Sequence, residues 1–175
     1  MTRHRFLACM TALVLTACTS APTVADGATF VVVRHAEKAD ASRDPDLNDA
    51  GVARAQALAA RFRDDPPVAL YTTDLRRTRQ TLAPVAAAHG LVPVLYDGAA
   101  PTDAFAARLK ETHHHGTVLI AGHSNTVPAL VSALCACPAA PMTDAEFDRL
   151  STVHVDATGR ATLVVTRYGA SSPSP

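Results

Sequence analysis

The chain has 175 residues, which is enough for one domain with a substantial core but not for two. Its 16 lysines and arginines balance its 16 aspartates and glutamates, so the composition does not point to nucleic acid or to a strongly acidic partner. Any functional information must therefore come from local patterns along the chain.

Residues 1–17 have the pattern of a bacterial export signal. A short basic region at residues 3–5 precedes an apolar run at residues 6–15. This run is shorter than the roughly 20 residues that a membrane-spanning helix needs, and its length is typical of the apolar part of a signal peptide. We therefore expect this segment to be absent from the mature fold.

The signal ends in Leu15-Thr16-Ala17-Cys18, which resembles a lipobox, so we expect Cys18 to be lipidated and to become the first mature residue. The alternative is an ordinary secretory signal, cleaved near Ala21 or Ala25. The two residues after the cysteine are Thr and Ser rather than Asp. In a Gram-negative cell this favours the outer membrane, facing the periplasm. The small, polar residues 18–27 are expected to form a tether.

The rest of the chain, residues 28–169, alternates apolar β-branched runs with segments of helical periodicity. Strands are predicted at 29–34, 68–72, 92–96 and 117–121, and helices at 50–63, 75–89, 102–112 and 126–135, with a short helix at 143–150 and a hairpin of strands 152–155 and 162–168. Asn48, Gly90 and either Thr102 or Asp103 are the predicted helix caps. This order predicts one three-layer α/β/α domain, with a mostly parallel sheet and a C-terminal antiparallel hairpin. Residues 170–175 are expected to be a disordered tail.

Two of the predicted strands end in the same way, with a histidine directly after an apolar run. Arg34-His35 follows the first strand and Gly122-His123 follows the fourth. If these strands are neighbours, the two imidazoles meet at the carboxyl edge of the sheet, where open α/β sheets bind ligands. The segment Thr72–Thr81 places hydroxyls and three arginines at the start of a helix, an arrangement suited to a phosphate.

These motifs resemble the histidine phosphatase superfamily, also called phosphoglycerate mutase-like. The resemblance rests on Arg34-His35-Ala36-Glu37, on the helix start with Thr73 and Arg77, and on Gly122-His123-Ser124-Asn125. It extends to Leu47-Asn48-Asp49-Ala50-Gly51, where the family often has Leu-Thr-x-x-Gly. Asn48 is a conservative departure from that pattern, because Asn and Thr both cap helices.

The resemblance implies that His35 attacks phosphorus and forms a phosphohistidine, and that Arg34, Arg77 and His123 surround the phosphoryl oxygens. Thr73 is a further candidate phosphate contact. A neutral, oriented imidazole is the competent nucleophile. A protonated His123 is expected to help keep His35 uncharged.

The resemblance also implies a general acid in the loop after the third strand, where it protonates the leaving group; the candidates are Asp97 and, second, Asp103. Each also has a structural explanation, Asp97 as a turn residue and Asp103 as a helix cap. Glu37 is expected to support the site or face the substrate. Arg76 and Arg79 are expected to face solvent or to form salt bridges, although Arg76 is a rival to Arg77.

No cofactor or metal is expected. The three adjacent histidines His113–His115 cannot all reach one ion without strain, and they lie at the end of the sheet opposite the predicted site. Cys135 and Cys137 form a C-x-C pair that is expected to pack at a helix end; a disulfide between them would close a very small ring.

The resulting prediction is an envelope-anchored phosphomonoesterase of the histidine acid phosphatase type, acting on a small phosphorylated substrate. A phosphomutase using the same phosphohistidine is less favoured, because it needs extra elements that enclose the site and this chain is short. A non-catalytic phosphate-binding lipoprotein is the remaining alternative. The loops expected to set selectivity, at residues 38–46, 97–102 and 135–143, carry no pattern that identifies the substrate.

Overall fold

The computed structural model describes residues 27–172, which form six strands and four helices. The strands are β1 (Gly27–Arg34), β2 (Ala69–Thr72), β3 (Val94–Leu95), β4 (Gly116–Gly122), β5 (Arg149–Asp156) and β6 (Ala161–Arg167). The helices are α1 (Asp49–Arg61), α2 (Arg76–His89), α3 (Thr102–Thr112) and α4 (Val127–Cys135). The predicted signal, Cys18 and most of the predicted tether lie outside the described residues. Among the described helices, none is long and apolar enough to cross a bilayer.

The six strands form one sheet in the order β3-β2-β4-β1-β5-β6. β1 to β4 are parallel to one another, and β5 and β6 add the antiparallel hairpin. The predicted α/β architecture is confirmed. The predicted neighbourhood of the first and fourth strands is confirmed as well, since Arg34 at the end of β1 pairs with Gly122 at the end of β4.

Core packing on both faces of the sheet follows from the alternation of side chains along β1. Phe30 and Val32 are completely buried in a cluster with residues of α3 and α4. Val31 and Val33 point to the other face, where they pack with residues of α1 and α2. Each such side chain contributes roughly 1.5–3 kcal/mol of burial free energy. An uninterrupted apolar run is therefore what a central strand covered on both faces requires.

Two of the predicted local signals explain how helices begin and end. Asn48 caps α1, and its side-chain oxygen accepts a hydrogen bond from the backbone N–H of Gly51 at 2.9 Å. Gly90 ends α2 in the left-handed conformation, at φ 64°. Gly51 itself has no room for a side chain, since a Cβ there would lie 2.3 Å from the carbonyl oxygen of Glu37. The glycine therefore lets α1 approach the segment that follows the first strand.

Three local predictions are wrong. The helix predicted at residues 143–150 is a turn at Asp144 and Ala145, followed by β5; the carbonyls of this segment are used by a distant side chain, described below. β3 has only two residues, because only Tyr71 and Thr72 of β2 pair with it. α3 is preceded by Pro101 without any side-chain cap, so neither Thr102 nor Asp103 has the predicted capping role.

The C-terminal end of the described chain is held against the fold. Ser172, in the segment predicted to be disordered, accepts hydrogen bonds from the backbone N–H groups of Phe147 and Asp148 at 2.8 and 3.0 Å. Long-range contacts of this kind have no signature in a short, small-residue tail. Cys135 and Cys137 are joined by a disulfide at the end of α4.

Candidate active site

His35 lies directly after β1 and is only 4% exposed. Its backbone N–H donates to the carbonyl of Gly122 at 2.9 Å, which fixes it beside the end of β4. The ring atom Nδ1 lies 2.8 Å from the carbonyl oxygen of Ala36. A carbonyl can only accept, so the ring proton lies on Nδ1 and the lone pair lies on Nε2. His35 is thus oriented as a nucleophile through Nε2.

The protonation of His35 follows from its surroundings. Burial is the largest cause that lowers its pKa, to about 3, and the charges of Arg34, His123 and Arg77 act in the same direction. The hydrogen bond to Ala36 opposes this shift without reversing it. The imidazole is therefore neutral at physiological pH, as a nucleophile must be.

His123, after β4, lies beside His35, with a distance of 5.4 Å between ring centroids. Its Nε2 is 3.0 Å from the hydroxyl of Thr73, which also contacts the hydroxyl of Thr78 at 2.9 Å. Burial and the charges of Arg77 and Arg34 lower the pKa of His123 to about 4. Burial is therefore the main cause of the neutral state of His35, and a charge on His123 would act in the same direction.

Arg34 is 4% exposed, and its guanidinium is held by a segment remote in sequence. Nη1 donates to the carbonyls of Thr143, Asp144 and Glu146 at 3.1, 2.9 and 3.2 Å. The ring of Phe147 lies under the guanidinium, 4.1 Å from Cζ to the centroid, and 6.2 Å from the ring of His35. The side chain is thus fixed from two sides, while its charge acts on His35.

Arg77 lies in the first turn of α2, with its side chain 15% exposed. Its Nη1 donates to the carbonyl of Arg43 at 3.3 Å. Among the described residues, neither Nε of Arg77 nor Nε of Arg34 has a hydrogen-bond partner, although both atoms are buried. A buried donor without an acceptor costs on the order of 1–3 kcal/mol. An anion bound beside His35 would supply the acceptor that both of these donors lack.

The neighbouring arginines are engaged elsewhere. Arg76 forms an ion pair with Asp46, and Arg79 pairs with Asp74. Both arginine side chains are more than half exposed. Arg77 is therefore the arginine of this helix whose charge reaches the two histidines.

A cleft of about 760 Å³ opens beside His123, at the carboxyl ends of β2, β3 and β4, and His35 is not among its lining residues. It is lined by site residues and by the loop after β3: Thr73, Asp74, Leu75, Arg77, Leu95, Tyr96, Asp97, Gly98, Ala99, His123, Asn125 and Thr126. Gly98 lies close to the site, since a Cβ there would be 3.0 Å from Cγ2 of Thr73. The cleft has room for the group attached to a phosphate.

The two candidate acids differ in position. Asp97 is exposed on the wall of the cleft, where its carboxylate accepts a hydrogen bond from the backbone N–H of Ala99 at 2.9 Å. Asp103 lies exposed in the first turn of α3 and is not among the residues that line the cleft. The structure thus brings Asp97, and not Asp103, to the same cleft as His123.

Glu37, two residues after His35, does not face the cleft. Its carboxylate accepts three hydrogen bonds from Nε and Nη2 of Arg54, at 2.6 to 3.0 Å. Nη1 of Arg54 donates to the carbonyl of Tyr168 at 2.8 Å. Of the two roles considered for Glu37, the supporting one agrees with this geometry, because the pair ties the segment after His35 to α1 and to the end of β6.

The part of the site formed by residues 143–147 leaves no pattern in the sequence. This loop supplies the carbonyls and the aromatic ring that hold Arg34. Backbone acceptors occur at every residue, so their use by a side chain more than 100 positions away leaves no local signal. The loop is also tied to the second histidine motif, because the hydroxyl of Ser124 donates to Asp144 at 2.9 Å.

Comparison with known proteins agrees with this geometry. Residues 30–100 match the model of the histidine phosphatase superfamily (branch 1). No curated protein matches the chain significantly in sequence.

Several solved structures share the fold. The protein histidine phosphatase SixA, in complex with tungstate, is 19% identical at a TM-score of 0.66, covering 79% of this chain and 96% of its own. A mycobacterial glucosyl-3-phosphoglycerate phosphatase is 16% identical with a TM-score of 0.62, and the alignment covers 81% of this chain and 99% of that protein. Phosphoglycerate mutase from Bacillus anthracis is 14% identical with a TM-score of 0.63, and the alignment covers 82% of this chain and 94% of that protein. At these identities the likeness is one of fold, and it is shared by proteins with three different names and activities.

The sequence match covers β1, the first two helices and the loop after β3, and the fold extends the likeness through β4 and the hairpin. Residues 30–100 are thus similar in sequence to the histidine phosphatase superfamily, and the domain as a whole shares the fold of these phosphatases and of phosphoglycerate mutase.

Proposed function

We propose that this chain is a phosphomonoesterase that hydrolyses a small phosphate ester through a phosphohistidine on His35. The observation that carries the proposal is the state of His35: it is neutral, and its Nδ1 proton is held by the carbonyl of Ala36. The charges of two arginines, whose buried Nε donors have no partner within residues 27–172, act on it. This is the arrangement that a phosphoryl group in transfer requires.

The reaction takes place in two displacements at phosphorus. In the first, the Nε2 lone pair of His35 forms a bond to phosphorus, the bond from phosphorus to the ester oxygen breaks, and a proton reaches that oxygen as the alcohol leaves. In the second, water attacks the phosphohistidine, the bond between nitrogen and phosphorus breaks, and inorganic phosphate is released while the water gives up a proton. His35 ends in its initial protonation state, with its proton on Nδ1.

The charge that develops on the phosphoryl oxygens is met by Arg34 and Arg77, whose Nε donors have no hydrogen-bond partner in the part of the chain that the structure describes. A phosphate dianion would also raise the pKa of His123 above its value of about 4, because a nearby negative charge favours the imidazolium. His123 is therefore suited to gain its proton with the substrate rather than before it. Thr73, through its contact with Nε2, orients the ring in either state.

Asp97 is proposed as the general acid, and replacing it tests that role. Asp97→Asn should lower kcat/KM about 100-fold or more for an alkyl phosphate, which has a poor leaving group. The same variant should change kcat/KM less than about threefold for p-nitrophenyl phosphate, whose leaving group needs little protonation. Steady-state kinetics on both substrates measures the difference. Asp103→Asn is the matched control, and equal losses of Asp97→Asn on the two substrates would contradict the assignment.

The exposed position of Asp97 and its bond to Ala99 favour a second candidate substrate, a phosphoramidate such as phosphohistidine. An imidazole leaving group can take its proton from solvent at the distal nitrogen, so its departure does not require an acid on the protein. One protein of similar fold is a protein histidine phosphatase. Faster turnover of phosphoimidazole than of alkyl phosphates, with no effect of Asp97→Asn, would favour this candidate over the ester.

We further propose that the enzyme is anchored in the cell envelope through a lipid on Cys18, at the end of the signal Leu15-Thr16-Ala17-Cys18. The geometry of the fold supports this proposal. β1 begins at Gly27 and ends at Arg34, so the two ends of this strand are about 25 Å apart. A tether on Gly27 would join the domain at the amino end of β1, which leaves the carboxyl edge of the sheet accessible.

Mass spectrometry of the purified chain and fractionation of cells test the anchor. The mature protein should begin at an acylated Cys18 and sediment with membranes, and Cys18→Ser should release it from that fraction or leave the signal uncleaved. A mature N-terminus near Ala21 or Ala25 without a lipid would show the ordinary secretory signal instead.

A further inference from the structure

The last residue described at the C-terminus contacts the loop that holds Arg34. The hydroxyl of Ser172 accepts from the backbone N–H groups of Phe147 and Asp148 at 2.8 and 3.0 Å. The backbone N–H of Ser172 donates to the carboxylate of Asp148 at 3.1 Å. Ser172 thus makes three hydrogen bonds to two consecutive residues, although it is 24 positions away from the nearer one.

Those two residues continue directly from the groups that fix Arg34. The carbonyls of Thr143, Asp144 and Glu146 accept from Nη1 of Arg34, and the ring of Phe147 packs under its guanidinium. None of these residues belongs to a helix or strand. Helix or strand pairing therefore does not fix their positions. One turn hydrogen bond, from the N–H of Glu146 to the carbonyl of Thr143 at 3.2 Å, and contacts with other segments do so.

Charged side chains also hold the loop. The carboxylate of Glu146 accepts from Arg149 at 2.7 and 2.9 Å and from Arg167 at 2.6 Å. Arg167 also bridges to Asp148 at 2.7 Å. Because the side chain of Arg167 is 57% exposed, solvent weakens this part of the network. Ser172, which bonds to the loop's own backbone, is the more direct constraint on Phe147.

We infer that Ser172 is a positioning residue for the phosphate site: its hydroxyl fixes Phe147 and the loop carbonyls, and these in turn orient the guanidinium of Arg34. The inference rests on the proposed function only in taking Arg34 as a phosphate ligand. Without the hydroxyl, the N–H groups of Phe147 and Asp148 lose their acceptor, and the loop shifts to bring them to water. Arg34 then loses its alignment while it keeps its charge.

A double-mutant cycle on the full-length chain in mild detergent tests this inference. The dissociation constant of inorganic phosphate is measured by calorimetry for the parent, Ser172→Ala, Arg34→Lys and the double variant. Kinetics on p-nitrophenyl phosphate are measured alongside. Ser172→Ala should weaken phosphate binding and lower kcat/KM by about tenfold, since small displacements in a site cost this much or more. In the Arg34→Lys background the same substitution should have less than about a twofold effect.

Ser172→Thr retains a hydroxyl and should recover most of the affinity, and Ser171→Ala, at the exposed neighbouring position, should match the parent. If Ser172→Ala does not fold, Ser172→Cys replaces it in the cycle, because a thiol is a weaker acceptor of similar size. Unchanged phosphate affinity in the Ser172 variant, or a loss that is equal in both backgrounds, would overturn the inference. A parent that binds phosphate without turnover would contradict the proposed function, and the binding cycle would still decide the role of Ser172.

Discussion

His35→Ala is expected to lower kcat by at least about 10⁴-fold, with the fold intact. Removal of a nucleophile that forms a covalent intermediate costs this much or more in other hydrolases, and the remaining charged groups cannot replace it. The backbone N–H of residue 35 still bonds to the carbonyl of Gly122, so the variant should remain folded. Steady-state kinetics on p-nitrophenyl phosphate, with circular dichroism as a check on folding, measures the effect.

The matched control is His115→Ala, which removes an exposed imidazole at the opposite end of the sheet. It should have the activity of the parent. Residual activity of His35→Ala within about tenfold of the parent would mean that phosphate is transferred directly to water, and the phosphohistidine mechanism would have to be abandoned.

Arg54→Met should have the largest effect on stability. Arg54 is 3% exposed, and its guanidinium is bonded to the Glu37 carboxylate and to the carbonyl of Tyr168. Burial lowers the pKa of Arg54, but Glu37 more than offsets this, so the net shift is upward. Removing the cation leaves Glu37, whose side chain is 18% exposed, without its partner. Breaking a buried pair in this way costs about 3–5 kcal/mol.

Urea denaturation of Arg54→Met, of Glu37→Gln and of the double variant measures the coupling of the pair. The double variant should be more stable than the sum of the single losses predicts, because no unpaired carboxylate remains. Arg61→Met, at an exposed position on the same helix, should stay within about 0.5 kcal/mol of the parent. A loss below about 1 kcal/mol for Arg54→Met would show that the pair is not a main support of the segment after His35.

The parts of the site that the sequence reveals are those encoded by strand ends. An apolar run that stops at a histidine is visible at both His35 and His123, and the parallel order of β1 and β4 then brings them together. Arg77 is visible for a similar reason, since the start of a helix after a strand is a recurrent anion site. Predicting these residues requires only local sequence patterns and one assumption about the order of the strands.

The parts that the sequence does not reveal depend on contacts between distant segments. The loop carbonyls around Arg34 and the hydroxyl of Ser172 act through hydrogen bonds that any residue of that type could make. Glu37 looks like part of the reactive motif, and only the fold shows that it pairs with Arg54. The neutral state of His35 also depends on the tertiary structure, because its low pKa comes chiefly from burial.

The phosphoenzyme itself is the most direct test of the central claim. The full-length chain is mixed with a fast-reacting aryl phosphate, quenched in alkali within milliseconds and digested for mass spectrometry, because phosphohistidine survives base but not acid. We predict a phosphate on the peptide that contains His35, at a level that rises and decays with turnover, and none in His35→Ala. Turnover with no phosphate on His35, or with a phosphate on another residue, would contradict the account.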